Sequence, residues 1–204
     1  MHYHCHEGGN NTEMRKITFD IETKNTFEEA GSREPAALNM SVVCIHDSFT
    51  GKYTSYLEKD LKDLWPILEQ ADLLITFNGE HFDIPILNKY YSGDLTKIKH
   101  IDLLKEVKDV LGRRLKLDSI ASATLGTKKS GNGLEAIEWW NNGEIEKLIK
   151  YCIDDVRITK ELYDYARANN HLKFQDNGNI KEIKLNTTDW ETSPGGAMTF
   201  TLPF

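Results

Sequence analysis

Cysteine is scarce: Cys5, Cys44 and Cys152 are the only three in 204 residues. Three scattered thiols cannot build the disulfide framework of a small secreted domain, so a reducing cytoplasm is the expected compartment. No apolar run approaches the roughly 18 residues of a membrane-spanning helix, which excludes a transmembrane helical protein. No basic-then-apolar leader opens the sequence, so a secretory signal peptide is not expected. Internal repeats and low-complexity tracts are missing too. Positive charge is in deficit, with 25 Lys and Arg against 32 Asp and Glu, for a formal net charge of −7. Such a body is not built to coat nucleic acid non-specifically, yet it leaves room for a local basic track or an acidic metal site. The chain is 39% apolar and 28% charged, enough to bury a core, and its length suits one domain with appendages.

The first thirteen residues do not read as fold. His2, His4 and His6 alternate with Tyr3 and Cys5, and Glu7-Gly-Gly-Asn-Asn follows. Imidazole and thiolate are transition-metal donors, but a purification tag with a linker, and Met14 as the native start, is the favoured reading. From Arg15 the pattern is mixed α/β. Arg15–Glu22 alternates with a strand period. Lys24–Asn39 is polar and reads as a long loop. Met40–His46 and Lys52–Leu57 form a hairpin around Ser48–Gly51. Lys59–Gln70 has helical spacing, Asp72–Phe77 is a short buried strand, and Glu80–Tyr91 returns to helix with Pro85 near its first turn. Ile98–Ile101 is a last short strand. Asp102–Leu111, Leu117–Leu125, Leu134–Trp140 and Glu144–Asn169 are consecutive helices punctuated by glycines. Asp176-Asn177-Gly178-Asn179 marks a closing hairpin. The expected division is a tag or disordered terminus over 1–13, one α/β domain over 14–170, and a hairpin and tail over 171–204.

Three acidic motifs carry the chemistry. In Phe19-Asp20-Ile21-Glu22-Thr23 the two acids are two apart on a strand and share a face. Adjacent like charges are unfavourable unless a cation lies between them, and carboxylate oxygens suit hard cations. The second motif, Asn78-Gly79-Glu80-His81-Phe82-Asp83, begins where an apolar strand stops, the end at which open α/β sheets collect ligands. Asp83 also suits a helix start, where an acid complements the dipole. In Tyr151-Cys152-Ile153-Asp154-Asp155 the tyrosine and Asp155 are four apart on a helix, one above the other.

In that order, Asp-x-Glu, Asn-x4-Asp and Tyr-x3-Asp together resemble the DEDD family of 3′–5′ exonucleases, in its tyrosine subgroup. The segments are similar to the proofreading domains of family B DNA polymerases and to ribonuclease-H-like exonuclease domains associated with helicases. The resemblance covers about Arg15 to Asn170. It implies a ribonuclease-H-like three-layer fold, with a mixed five-stranded sheet flanked by helices and its second strand antiparallel. It implies Asp20, Glu22, Asp83 and Asp155 as ligands of two divalent ions, Mg²⁺ or Mn²⁺, and Tyr151 as the residue that positions the attacking water. The implied activity is 3′–5′ exonuclease on single-stranded or 3′-tailed nucleic acid, DNA favoured, releasing nucleoside 5′-monophosphates. The alternative is a catalytically silent or partner-dependent nucleic-acid-binding domain of a repair or replication assembly. A helicase or polymerase partner fits the resemblance, and a membrane partner does not.

Candidate substrate contacts follow from composition and placement. Between 97 and 116 seven basic residues stand against three acidic ones, the reverse of the whole chain's balance. Arg113 and Arg114, then Lys128 and Lys129, flank loops near the third motif and are candidate phosphate contacts. Thr23, Phe77, Asn78, His81 and Phe82 stand at the first two motifs, where a terminal base could stack, although core packing is the favoured role for Phe77. Trp139 and Trp140 offer either a stacking platform or core packing. Lys24–Asn39 reads as a lid, a strand wedge or a surface loop.

Overall fold

The structure is a computed structural model that describes residues 14–127 and 131–192. The histidine-rich start, Lys128, Lys129 and the tail from 193 lie outside the described residues. The order is β1 (Lys16–Thr23), β2 (Met40–Asp47), β3 (Lys52–Leu57), α1 (Leu61–Glu69), β4 (Leu73–Thr76), α2 (Asp83–Leu87) and β5 (His100–Asp102). Then come α3 (Leu103–Leu111), α4 (Leu117–Leu125), α5 (Gly133–Asn141), α6 (Ile145–Asn169), β6 (His171–Asp176) and β7 (Asn179–Lys184). Five strands form one sheet in the order β3-β2-β1-β4-β5, and β6-β7 is a separate two-stranded hairpin. β2 runs antiparallel to β1 and β3, while β1, β4 and β5 are mutually parallel. This is the mixed, helix-flanked sheet, with its second strand antiparallel, that the family resemblance implies.

The strand period of β1 decides what each face of the sheet does. Ile17, Phe19 and Ile21 join Val43, Ile45 and the α1 leucines Leu61, Leu64 and Leu68 in one core. On the other face, Asp20 pairs with Cys44 and Glu22 with Val42. Cys44 and Val42 pack against Ala136 and Trp139 of α5 and Leu148, Cys152 and Val156 of α6. Two-residue alternation therefore delivers both acids to the α5/α6 side while their neighbours anchor the strand from behind.

A third core joins Leu73 and Ile75 of β4 to α3, α4 and α6 and to the hairpin residues Leu172, Phe174, Ile183 and Leu185. The hairpin turn has Asn177 and Gly178 at φ +49° and +81°, the left-handed pair that a type I′ turn demands. Beyond it Trp190 stacks on Tyr163, with ring centroids 5.4 Å apart. Glu191 accepts from Lys16 Nζ at 2.9 Å, Tyr163 Oη at 2.8 Å and Arg167 Nη2 at 3.2 Å.

Two elements differ from their sequence expectation. The helix expected over Glu80–Tyr91 is only Asp83–Leu87. Asn78 takes a left-handed φ of +77°, and the backbone N–H groups of Asn78 and Glu80 donate to Asp102 instead of joining a helix. The last sheet strand is His100–Asp102 rather than Ile98–Ile101, and Asp102 ends it by capping α3. Among the described residues, no helix is long and apolar enough to cross a membrane.

Candidate metal centre

Asp20, Glu22 and Asp155 each offer a carboxylate oxygen, and these oxygens all lie within 4.8 Å of one another. Glu22 is 8% exposed and Asp155 only 2%. β1 supplies the first two acids on one face and α6 brings the third across the sheet. Three carboxylates this close, two of them buried and Asp20 half-buried, repel one another, so the arrangement is costly unless a cation joins it. All the donors are hard oxygens, which suits Mg²⁺ or Mn²⁺ and not a thiophilic metal. The residues present therefore fit a divalent cation.

Tyr151 sits one helical turn before Asp155. Burial, and then the charges of Asp155, Glu22 and Asp20, push its phenol well above its ordinary pKa. It therefore keeps its proton through the neutral range. Trp139 packs edge-on against it, with centroids 5.4 Å apart. Gly131 lies so close that a Cβ there would be 2.9 Å from Trp139 and 3.3 Å from Tyr151. Trp139 is thus in the core beside the tyrosine, while Trp140 is half-buried with Lys24 Nζ 5.0 Å from its ring centre.

Asp83 stands apart from the tight trio. It is 3% exposed, and its Oδ1 accepts the Ile21 N–H at 3.0 Å. Burial raises its pKa, and the nearby Asp102 and Asp155 add to the rise. It lines the same cleft as the trio, about 1070 Å³ in volume.

The cleft collects several of the candidate substrate residues. Thr23, Phe77, Asn78, Phe82 and Arg114 line it, and the Arg114 guanidinium donates to Asn78 Oδ1. His81 is exposed and is not among the lining residues. Arg113 is held elsewhere, 5.5 Å from the centre of the Phe174 ring and 3.8 Å from Asp176. The two adjacent arginines therefore go to different partners, Arg114 to the cleft and Arg113 to the hairpin. Lys128 and Lys129 lie outside the described residues.

The sequence reading missed three residues here. Phe27, from the loop after the first motif, lines the cleft and meets Phe82 edge to face at 6.3 Å. A lone aromatic in a polar loop was the available signal. Lys116 also lines the cleft, although only its neighbours were singled out. Asp102 is 4% exposed and accepts four backbone N–H groups. Its signal was an Asp directly before an apolar-periodic helix. The loop 24–39 is closed at its base, with Lys24 N–H donating to Asn39 O at 2.7 Å and Asn39 N–H to Asn25 Oδ1 at 2.8 Å.

Comparison with known proteins agrees with this geometry. A DNA polymerase of Thermococcus aggregans is 29% identical over 124 residues, covering 46% of this chain. The match takes in 7% of that polymerase, so the chain corresponds to a small part of it. Residues 17–167 match the RNase_H superfamily profile, a span that runs from β1 through most of α6 and includes Asp20, Glu22, Asp83, Asp102 and Asp155. The chain belongs to the RNase_H superfamily.

Proposed function

We propose that this chain is a metal-dependent 3′–5′ exonuclease that hydrolyses phosphodiester bonds of single-stranded or 3′-tailed nucleic acid. The observation that carries the reading is the trio Asp20, Glu22 and Asp155 in one cleft, with the Tyr151 phenol one turn from Asp155. Asp20, Glu22 and Asp155 would hold divalent cations, Mg²⁺ or Mn²⁺, with Asp83 beside them. Two such ions supply a water of lowered pKa and charge neutralisation at the departing oxygen. The side chains do the rest. The carboxylates fix where the cations bind. Tyr151, kept protonated by its surroundings, donates to and orients the attacking water. Phe82 and Phe27 offer faces on which a terminal base can stack. Arg114 supplies positive charge for a phosphate. Attack of water on phosphorus breaks the bond to the 3′ oxygen of the penultimate nucleotide. The products are a nucleoside 5′-monophosphate and a strand one residue shorter with a free 3′-hydroxyl.

The partner implied is a DNA or RNA 3′ end, with a helicase or polymerase delivering it. The test uses 5′-labelled DNA and RNA oligonucleotides carrying 3′ or 5′ tails, incubated with Mg²⁺, Mn²⁺ or EDTA. The expected result is a metal-dependent ladder that shortens from the 3′ end and is absent in Asp20→Ala. Cleavage of a circular strand would make the enzyme an endonuclease. Binding without any cleavage would make this a silent nucleic-acid-binding domain.

A further inference from the structure

We propose that Asp102 is a positioning residue, a single buried carboxylate that shapes the substrate-facing wall of the cleft by folding the loop that carries Asn78; this rests on the exonuclease reading. Its two oxygens serve two different elements. Oδ1 accepts the N–H groups of Leu104 and Lys105 at 3.0 and 3.3 Å, which caps α3. The same oxygen accepts the Asn78 N–H at 2.7 Å, and Oδ2 accepts the Glu80 N–H at 3.1 Å. An ordinary helix cap needs only the first pair. The second pair reaches back more than twenty residues to the turn after β4.

That turn is a strained one. Asn78 is in the left-handed region at φ +77°. The Gly79 N–H donates to Thr76 Oγ1 at 3.1 Å, and a Cβ at 79 would lie 2.3–2.6 Å from the Thr76 side chain. So tight a turn leaves its N–H groups facing inward, where an unmet donor is costly. Asp102 meets two of them, and a charged acceptor makes stronger bonds than a neutral one. With the turn in this shape, the Asn78 side chain faces the cleft and accepts from the Arg114 guanidinium. The chain from Asp102 through the loop to the Asn78–Arg114 pair is therefore continuous. Asp83 follows the same loop, with the Phe82 and Ile84 N–H groups donating to the Asn78 and Gly79 carbonyls, but its carboxylate has an anchor of its own in the Ile21 N–H of β1. Removing the Asp102 link should loosen the grip on substrate while leaving the metal-holding acids in place.

Serine separates the two jobs. Its hydroxyl caps a helix well but is too short, and has one oxygen too few, to hold the loop. In full-length protein, Asp102→Ser should raise KM for a single-stranded oligonucleotide roughly tenfold with kcat within about twofold. Asn78→Ala should raise KM similarly, and the double variant should add little, since both act on one link. Asp102→Asn, which keeps one acceptor oxygen, should fall between wild type and serine. Amide hydrogen exchange gives a readout that needs no catalysis. Protection of the Asn78 and Glu80 amides should be lost in Asp102→Ser while that of Leu104 and Lys105 persists. Full protection at Asn78 and Glu80, or a fall in kcat and melting temperature with KM unchanged, would overturn the proposal. If wild-type protein cuts no nucleic acid, the exonuclease reading fails, and the exchange pattern still decides whether Asp102 holds the loop.

Discussion

The floor and the wall of the cleft are held in place by different forces. On the floor, Asp20 and Glu22 ride on a strand whose alternate residues, Ile17, Phe19 and Ile21, are buried in a core. Asp155 rides on a 25-residue helix anchored by Leu148, Cys152 and Val156, none of them exposed to solvent. Each such apolar side chain contributes about 2 kcal/mol on burial, a reserve large enough to hold mutually repelling carboxylates together. On the wall, Asn78 and Arg114 stand on irregular backbone, and the Asn78 loop is shaped by hydrogen bonds to Asp102 and Thr76. The floor is thus rigid because of what lies behind it. The wall is shaped by a few polar contacts and is correspondingly easier to move without unfolding the protein.

The sharpest way to break this comparison is Asp20→Ala. Cleavage should fall by about a thousandfold, because a cation site is lost. In EDTA the melting temperature should hold or rise, since one of three repelling charges has gone. A large loss of stability without metal would mean that the trio is a structural network. Next in size is Leu148→Ala, which removes the packing behind the floor and should cost about 3 kcal/mol in denaturant unfolding. If the floor is held from behind, this change should also weaken metal binding measured by calorimetry. Third is Gly79→Ala on the wall. Overpacking against Thr76 should cost about 1–3 kcal/mol and raise KM more than it lowers kcat. An unchanged KM would show that the wall does not touch substrate.

The smallest effect at neutral pH belongs to His100, whose ring Nε2 lies 2.7 Å from Thr76 Oγ1 and so supports the wall. Burial lowers its pKa to about 4. The unfolded state therefore takes the proton first, near pH 6.5. This contribution to stability is complete above that value and is lost as pH falls toward 4. Asp83, beside the floor, behaves in the opposite sense. Its raised pKa means that the folded state binds the proton more tightly, so stability is regained as pH falls through the folded value. Melting curves between pH 7 and 4 should flatten for the wall term in His100→Gln and for the floor term in Asp83→Asn. Parallel curves for both variants and wild type would dissolve the distinction.

The floor was legible in the sequence because it obeys local periods. Asp20 and Glu22 announce a shared face by being two apart, and Tyr151 and Asp155 do so by being four apart on a helix. Most of the sheet and helices were legible for the same reason. The wall was not, because nothing periodic connects Asp102 to Asn78. The short α2 follows from the same blind spot. The stretch 80–91 has helical composition, but the left-handed turn at Asn78 that leads into it is shaped by a carboxylate more than twenty residues away, which accepts the Asn78 and Glu80 N–H groups. Arg113 shows the limit of composition. Its charge suggested a phosphate contact, and in the fold it is held by Phe174 and Asp176 of the hairpin, far along the chain.

Glu191 has one more consequence, for the order in which the molecule can assemble. Its carboxylate, held down to about 2 in pKa by its Lys16 and Tyr163 hydrogen bonds and the charges of Lys16 and Arg167, joins Lys16 on the first strand, 175 positions away, to Tyr163 and Arg167 on the last helix. β1 can pair with β2 early, but that tie, and the third carboxylate on α6, must wait for nearly all of the described chain to leave the ribosome. Contacts so distant in sequence slow folding, because the chain must close large loops before they form. Until then β1 has no third carboxylate beside it. The repulsive trio is therefore completed only after most of the core that holds it has formed, so a truncated nascent chain carries no complete acidic centre.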